Sequence, residues 1–492
     1  MKTNMKTKLT SLLCVVSICS LIKAQDIIVN DNVGSGDVYW NASSTYHLNG
    51  GVFVEAGTTL HIEAGTVIKG IAGQGEAASY LCVARDGIIM ANGTSSAPII
   101  FTFEADPLDG STPITTRGQW GGLIVLGNAG LNSTPGVSAI EGIPTTELRG
   151  QYGGLDDTDN SGVISYVSIR HGGIEIGAGN EINGLTLAGV GSGTDVNHIE
   201  VISNTDDGIE LFGGTVSVQF AFVSACGDDS FDYDEGWRGQ LNSNWISVAS
   251  ADDGDRGGEH DGGTDPEAAM PFANPTIDGA IFVGRGIDAG KRALTFRDNA
   301  GGHYSNSIFY NFAKGIDIED LEGIGEDSYS RFLNGDLSFT NNVVDCGSAI
   351  LVSSTGTDLS NYFIENGNTQ ASNHGIYWSS NLVNMGGHTD WASWTLAMTS
   401  GWVIPGEQVS IDSVSDVEVA VYPNPVLGSS IKVIFKEYQT GNITLTNSLG
   451  QLIYNSDFEG TEKDISSFTN EGLYFLKIKL DSGELILKKI IK

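Results

Sequence analysis

The chain is poor in cysteine, proline and basic residues, and outside its first two dozen residues it has no long apolar run. Its five cysteines are Cys14, Cys19, Cys82, Cys226 and Cys346. Two lie in the N-terminal segment and three are scattered singly, with no CxxC pair and no Cys/His ligand spacing. A disulfide scaffold and a zinc site are thereby excluded. Only 25 Lys+Arg stand against 60 Asp+Glu, a formal charge of −35. Such a polyanion repels phosphate backbones, so nucleic acid is excluded as a partner. No internal stretch reaches about 18 apolar residues, so no membrane-spanning helix is expected. The absence of GxSxG and of GxxxxGK[ST] removes the nucleophile-elbow and phosphate-cradling classes.

What is abundant is glycine: 66 residues against 11 prolines, roughly twice the usual share. Strict triplets are absent, which rules out collagen, and 40% hydrophobic residues rule out a disordered acidic tail. Together with 492 residues, enough for two or three domains, this composition predicts many short strands joined by tight turns. At the N-terminus, Lys2, Lys6 and Lys8 precede an apolar run from Leu9 to Ile22 and then Lys23-Ala-Gln-Asp26. This pattern reads as a signal peptide, residues 1–24, cleaved near Ala24. Ile18 is too bulky before Cys19 for a lipid-modification site, so a soluble exported protein is expected. Cleavage takes four lysines and no acid, leaving 21 basic residues against 60 acidic ones and a charge of −39.

At the other end, Val421-Tyr-Pro-Asn-Pro425 opens a segment of alternating strands. Asn447-Ser-Leu-Gly-Gln451 turns tightly within it, and Gly472-Leu-Tyr-Phe-Leu-Lys-Ile478 precedes Lys488-Lys-Ile-Ile-Lys492. This order of motifs resembles the C-terminal sorting domain of type IX secretion cargo in Bacteroidetes. The resemblance implies a small β-sandwich over residues 411–492, the type IX secretion machinery as a partner, and release or attachment at the cell surface.

Between the ends, short alternating runs recur, among them Leu81-Cys-Val-Ala84, Val163-Ile-Ser-Tyr-Val-Ser-Ile169, Val196-Asn-His-Ile-Glu-Val-Ile202 and Val216-Ser-Val-Gln-Phe-Ala-Phe-Val223. Period-2 alternation over four to eight residues predicts half-buried strands. Aspartate pairs at Asp206-Asp207, Asp228-Asp229 and Asp252-Asp253 step by 22 and 24 residues. A strand-only repeat of that size matches one coil of a solenoid. The predicted fold is therefore all-β: a right-handed parallel β-helix over residues 25–345, then the C-terminal sandwich. Residues 346–410 hold Trp378, Trp391, Trp394 and Trp402, read either as a cap on the open end of the rod or as a sugar-stacking platform.

Stacking the coils sets the Asp pairs roughly 5–10 Å apart. Like charges that close raise some pKa values or call for a cation, and unpaired carboxylates favour Ca²⁺. Asp252, Asp253 and Glu259 are the candidate Ca²⁺ ligands. Asp157 and Asp159, in an Asp-Thr-Asp-Asn-Ser-Gly loop resembling the first half of an EF-hand, form a second candidate group. Asn204-Thr-Asp206 followed by Asp228-Asp229 resembles polygalacturonase-type glycoside hydrolases, a resemblance that implies general acid and base roles on successive coils. Glu259-His260-Asp261 stands where that family has Gly-His-Gly, and Lys291-Arg292 or Arg297 where it has Arg-x-Lys. β-Eliminating enzymes of the same fold instead use Ca²⁺ and a Lys, Arg or His base. The candidate catalytic residues are thus Asp206, Asp207, Asp228, Asp229 and His260, and the candidate substrate contacts are Lys291, Arg292, Arg297 and Trp237. An extracellular polysaccharide is the expected partner, either cut by a lyase or hydrolase or held by a non-catalytic adhesin.

Overall fold

Runs of four to eight residues that alternate apolar and polar bury one face each, and stacking equivalent runs coil upon coil buries that face continuously. The computed structural model of this chain shows that arrangement. It describes residues 25–176, 182–263, 266–323, 325–370, 391, 393–400, 419–423, 426, 428–447, 452–466, 473–481 and 485–492. The expected signal peptide, Trp378 and Trp402 lie outside the described residues.

Twenty-seven strands form one continuous parallel array. One line of it passes through Tyr80–Val83, Leu123–Leu126, Leu185–Ala188, Ile209–Phe212, Phe231–Asp234, Gly258–Asp261, Arg292–Arg297, Lys314–Ile318 and Ser348–Ser353, each paired with the next. A second and a third line are the two legs of Gly162–Arg170, Asp195–Ile202, Ser217–Ser224 and Asn242–Val248. The body is a parallel β-helix. Its pairing continues past the expected boundary at 345, through Ser348–Ser353 and Thr369–Gln370, because those runs still have a coil below them to pair with.

Many bends fall on glycines in the left-handed region, but the bend within each of four stacked strands falls on a residue with a side chain. Tyr166, His198, Phe220 and Asn244 have φ of 51°, 53°, 54° and 56° and follow directly on residues paired in register. Side chains there cost about 1–2 kcal/mol each over glycine. Ring-on-ring stacking of Tyr166 on His198 (4.2 Å) and His198 on Phe220 (4.6 Å) offsets it. Glycine is required where chains approach closely. A Cβ on Gly208 would meet Val223 Cγ1 at 2.3 Å and the Ser230 carbonyl oxygen at 2.7 Å. Gly208→Ala is expected to destabilise the rod by about 1–3 kcal/mol, read as a lower urea midpoint; an unchanged midpoint would contradict this packing.

Leu, Ile and Val fill the core of the early coils, and aromatics dominate later ones, where Phe231 stacks on Trp245 (4.4 Å) and Phe282 (5.3 Å). Phe363, on the helix Ser360–Glu365, covers the C-terminal end of the core. The described tryptophans of the following segment do not cap that end. Trp391, Trp394, Leu396 and Ala397 lie on the flank of the rod against Ile202, Phe222 and Ile246. The reason is an outward-facing apolar strip that the strands would otherwise leave in water. Glu200, fully buried in this seam, accepts the backbone N–H groups of Leu396 and Ala397 at 2.9 Å each. Both tryptophans are buried, so the stacking-platform reading fails for them as well. The C-terminal module is a separate five-stranded antiparallel sheet with its own core, including Val433, Ile443, Leu445 and Leu476.

Candidate functional site

Alternation along the first line of strands decides which residues face outward. In Ile209–Phe212, Ile209 and Leu211 enter the core and Glu210 does not; in Phe231–Asp234, Phe231 and Tyr233 do and Asp232 does not. Register then stacks Cys82, Ile124, Thr186, Glu210, Asp232, Glu259, Thr295 and Asp317 on successive coils. The face changes character along the rod. Over the early coils it is apolar, and the hairpin Ser138–Ala139/Gln151–Tyr152 with its neighbouring loops covers it through Ile140, Ile143 and Tyr152. From Glu210 onward it is acidic.

The turns entering these strands add a second acidic row. Asp229 N–H donates to Asp207 Oδ1 at 2.9 Å, and Arg256 N–H to Asp229 Oδ1. These carboxylates therefore staple each coil to the next. The register Phe231↔Gly258 puts Asp255-Arg256, not Asp252-Asp253, on the rung after Asp228-Asp229, so the step is 27 residues. Oxygens of Asp206, Asp207 and Asp228 lie within 4.8 Å of one another, as do those of Asp207, Glu210 and Asp232, and those of Asp228, Asp229 and Asp255.

Burial and mutual repulsion shape the acids' ionisation. Burial first, then Asp232 and Asp229, holds Asp207 well above the usual carboxylate range. Glu210 is pushed up by burial and then by Glu141, Asp229 by burial and then by Asp228, and Asp232 by burial and then by Asp261. Burial raises Asp234 to about 7. Asp232 Oδ1 is buried and has no hydrogen-bond partner, a costly state that a proton or a cation would relieve.

Beside this row opens a groove of about 430 Å³ lined by Arg256, Lys291, Arg292 and Lys314 with Asp255 and Asp317. Lys291 Nζ pairs with Asp255 at 3.0 Å, and Arg256 Nη1 lies 3.0 Å from both Asp255 and Glu259. Arg292 pairs with Asp317. Arg297 holds Asp261 through Nε and Nη2 at 2.6 and 2.9 Å, and its Nη1 reaches Glu259 at 3.0 Å.

Asp206, Asp207, Asp228 and Asp229 thus come together, and Lys291 and Arg292 line the groove. Other expected site residues are placed elsewhere. His260 points into the core, stacked on Tyr233 at 4.1 Å and bonded to Tyr304 Oη at 2.7 Å, and burial lowers its pKa to about 3. Strand alternation puts it on the face opposite Glu259, so it is corrected from catalytic to core. Trp237 is wholly buried, its indole N–H donating to the Val216 carbonyl oxygen, and offers no surface to a substrate. Asp252 is taken by Arg117 at 2.9 Å, which lowers its pKa, and Asp253 caps the N–H of Gly254; neither joins Glu259, itself paired to two arginines. In the EF-hand-like loop, Arg238 occupies Asp157, and Asp159 accepts from Asn128 and Ser161. Hydrogen-bond donors there fill the places a cation would need.

Glu210, Asp232, Asp255 and Arg256 were missed by sequence reasoning. Their signal is the frame Asp-x₃-acid in Asp206–Glu210, Asp228–Asp232 and Asp255–Glu259, visible once Asp255 rather than Asp252 is aligned. A pectate-lyase-like β-helix domain matches residues 32–399, most of the chain. The chain belongs to the pectate-lyase-like β-helix family. A secretion-system C-terminal sorting domain matches residues 420–492, so this β-helix protein is sorted for type IX secretion and surface attachment. No curated protein matches the chain at a significant level. No described helix is long and apolar enough to cross a membrane.

Proposed function

We propose that this exported β-helix protein binds an acidic extracellular polysaccharide through Ca²⁺ held on its acidic face and cleaves it by β-elimination. The observation that carries the reading is one of adjacency. Carboxylates that repel one another, one with an orphaned buried oxygen, abut a groove with four cationic side chains. An all-carboxylate oxygen donor set suits a hard cation. Asp228, Asp229 and Asp255 would hold it at the groove's edge, and Asp207, Glu210 and Asp232 deeper on the face. The ion would supply positive charge that draws in a uronate carboxylate and stabilises the charge developing beside it.

The chain's own residues supply the rest. Arg256 and Arg292 are placed to receive carboxylates of the polymer. Lys291 is paired with Asp255, one of the candidate ligands, so whatever engages Asp255 releases the amine. The released amine, on the wall of the groove, is the group placed to act as the base that abstracts the proton next to the uronate carboxylate. The glycosidic oxygen then leaves with the bonding electron pair and takes a proton from water, and a carbon–carbon double bond remains. Inverting hydrolysis through Asp206, Asp207 and Asp228 has less support, because oxygens of these carboxylates lie within 4.8 Å of one another, closer than the about 6.5–9.5 Å that admits water. The second reading is capture without cleavage, favoured by the fact that Lys291, Arg256 and Arg292 each have a carboxylate partner.

Incubation of the protein with uronate polymers in Ca²⁺ and in EDTA tests this, following ultraviolet absorbance and retardation on polymer-loaded gels. Absorbance that EDTA abolishes is the expected result. Retardation without absorbance would favour capture, and neither would sink the polysaccharide reading.

The acids also predict an unusual pH profile. Carboxylates with raised folded pKa bind more protons folded than unfolded, so they cost stability as pH rises from about 4 through the raised values. In EDTA the melting temperature is expected to rise as pH falls from 8 to about 6.5, a window that contains the value near 7 for Asp234; below about 6.5 His260, held neutral by burial down to about 3, opposes the rise. Saturating Ca²⁺ should flatten the slope and raise the melting point at pH 8, the stability gained being about 2.7 kcal/mol at a hundredfold excess over Kd. A calcium-insensitive profile would remove the cation from the proposal. Below about pH 4, protonation of Asp252 and Asp157, whose pKa values are lowered by arginines, adds a loss of the opposite sign.

A further inference from the structure

A second groove, of about 460 Å³, opens at the far end of the same strands, between the loops that leave them. Its chemistry differs from that of the basic groove. Met270, 72% exposed, with Pro271 and the half-buried Phe272 makes an apolar lip. Arg331 lies flat on the Phe272 ring, 3.2 Å from its centroid, and pairs with Asp336 at 3.2 Å. Arg238, the other cation in the lining, is paired with Asp157. Both arginines of this groove thus have a carboxylate partner, Asp336 in its lining and Asp157 beside it, whereas Lys314 of the basic groove has no ion-pair partner among the described residues. Gln240 is exposed at its wall, and Asn274 holds a buried Oδ1 that has no hydrogen-bond partner.

Planar guanidinium, amide and carboxylate groups in fixed positions match paired hydroxyls, and an apolar lip matches the ring face of a pyranose. Nothing in the groove selects a charge. We infer that this groove is a second sugar subsite, specific for a neutral pyranose unit, so that the polymer recognised mixes acidic and neutral sugars. The inference rests on the polysaccharide reading above and narrows it from a uniform polyuronate. The strand Arg292–Arg297 runs from the first groove toward the loops that bear the second, its six residues spanning about 17 Å in five steps of about 3.3 Å, a length that one chain of several sugar units covers.

The test is affinity electrophoresis of the full chain through gels loaded with xylan, galactomannan or hydroxyethylcellulose in EDTA, and through polygalacturonate or alginate in Ca²⁺. At least one neutral polymer is expected to retard the protein without calcium. The double variant Met270→Asp, Gln240→Ala, both at exposed positions, should weaken that retardation about tenfold. Met270→Leu should retain it, and every variant should keep the calcium-dependent retardation by the acidic polymers. Absence of retardation by all three neutral polymers, or a double variant retarded like the parent, overturns the second subsite. Loss of the acidic-polymer retardation in the parent protein would instead overturn the acidic-face reading, so the two failures are separable.

Discussion

Lys291→Ala is expected to lower turnover of a uronate polymer by about 10²–10⁴-fold, the usual contribution of a positioned general base. Calcium-dependent retention of the polymer should persist. The variant that decides between roles is Lys291→Arg. An arginine keeps a positive charge for Asp255, 3.0 Å from Nζ in the parent, but cannot give up its proton at neutral pH. If Lys291 serves only to hold Asp255 or to attract the polymer, the arginine variant stays active. If it is the base, both variants lose turnover alike. An active Lys291→Arg protein would end the assignment of Lys291 as the base.

Glu200→Ala should produce the largest loss of stability of any single flank substitution. The carboxylate is fully buried and accepts from Leu396 N–H, Ala397 N–H and the Ser168 hydroxyl. Removing it strands two backbone donors in an apolar seam, at about 1–3 kcal/mol each, and lifts the contact that holds Trp391 and Trp394 on Ile202, Phe222 and Ile246. A total of about 3–6 kcal/mol is expected, seen as a lower urea midpoint and as early protease cutting near residue 391. Glu200→Gln keeps an acceptor oxygen and should lose less. Ending the chain at residue 390 should reproduce the alanine variant, because the same apolar strip is then exposed. Unchanged protease resistance in Glu200→Ala would show that the tryptophans hold the segment unaided. Any expressed body should accordingly extend through Ser400.

How the candidate site was legible follows from the same geometry. Adjacent Asp pairs mark two neighbouring coils, since Asp206-Asp207 and Asp228-Asp229 are 22 residues apart, the same step as the register Ile209↔Phe231 of the strands they precede. The third pair misled. Asp252-Asp253 repeats the chemistry of the first two, but the loop before the next strand is longer, and Asp255 fills the rung. Loop length in a solenoid is free to vary because loops stand outside the stacked strands. A fixed step therefore holds only while loops stay short. His260 misled for a different reason. It lies between two outward acids, Glu259 and Asp261, and period-2 alternation sends the middle residue of three to the opposite face.

What the sequence determined by itself was the export signal at the C-terminus, the all-β coil and the acidic character of one side. Each is written locally, in a motif order, a period-2 pattern and a charge count, and needs no knowledge of distant contacts. Tertiary structure alone decided which acids share a rung, which arginines neutralise them, and that Trp391 and Trp394 lie on the flank instead of over the end. Those outcomes depend on register between coils and on which surface remained apolar after the strands had stacked. Arg117 reaching Asp252 across 135 residues and Leu396 reaching Glu200 across 196 are fixed by the shape of the finished rod, which no local pattern in the chain records.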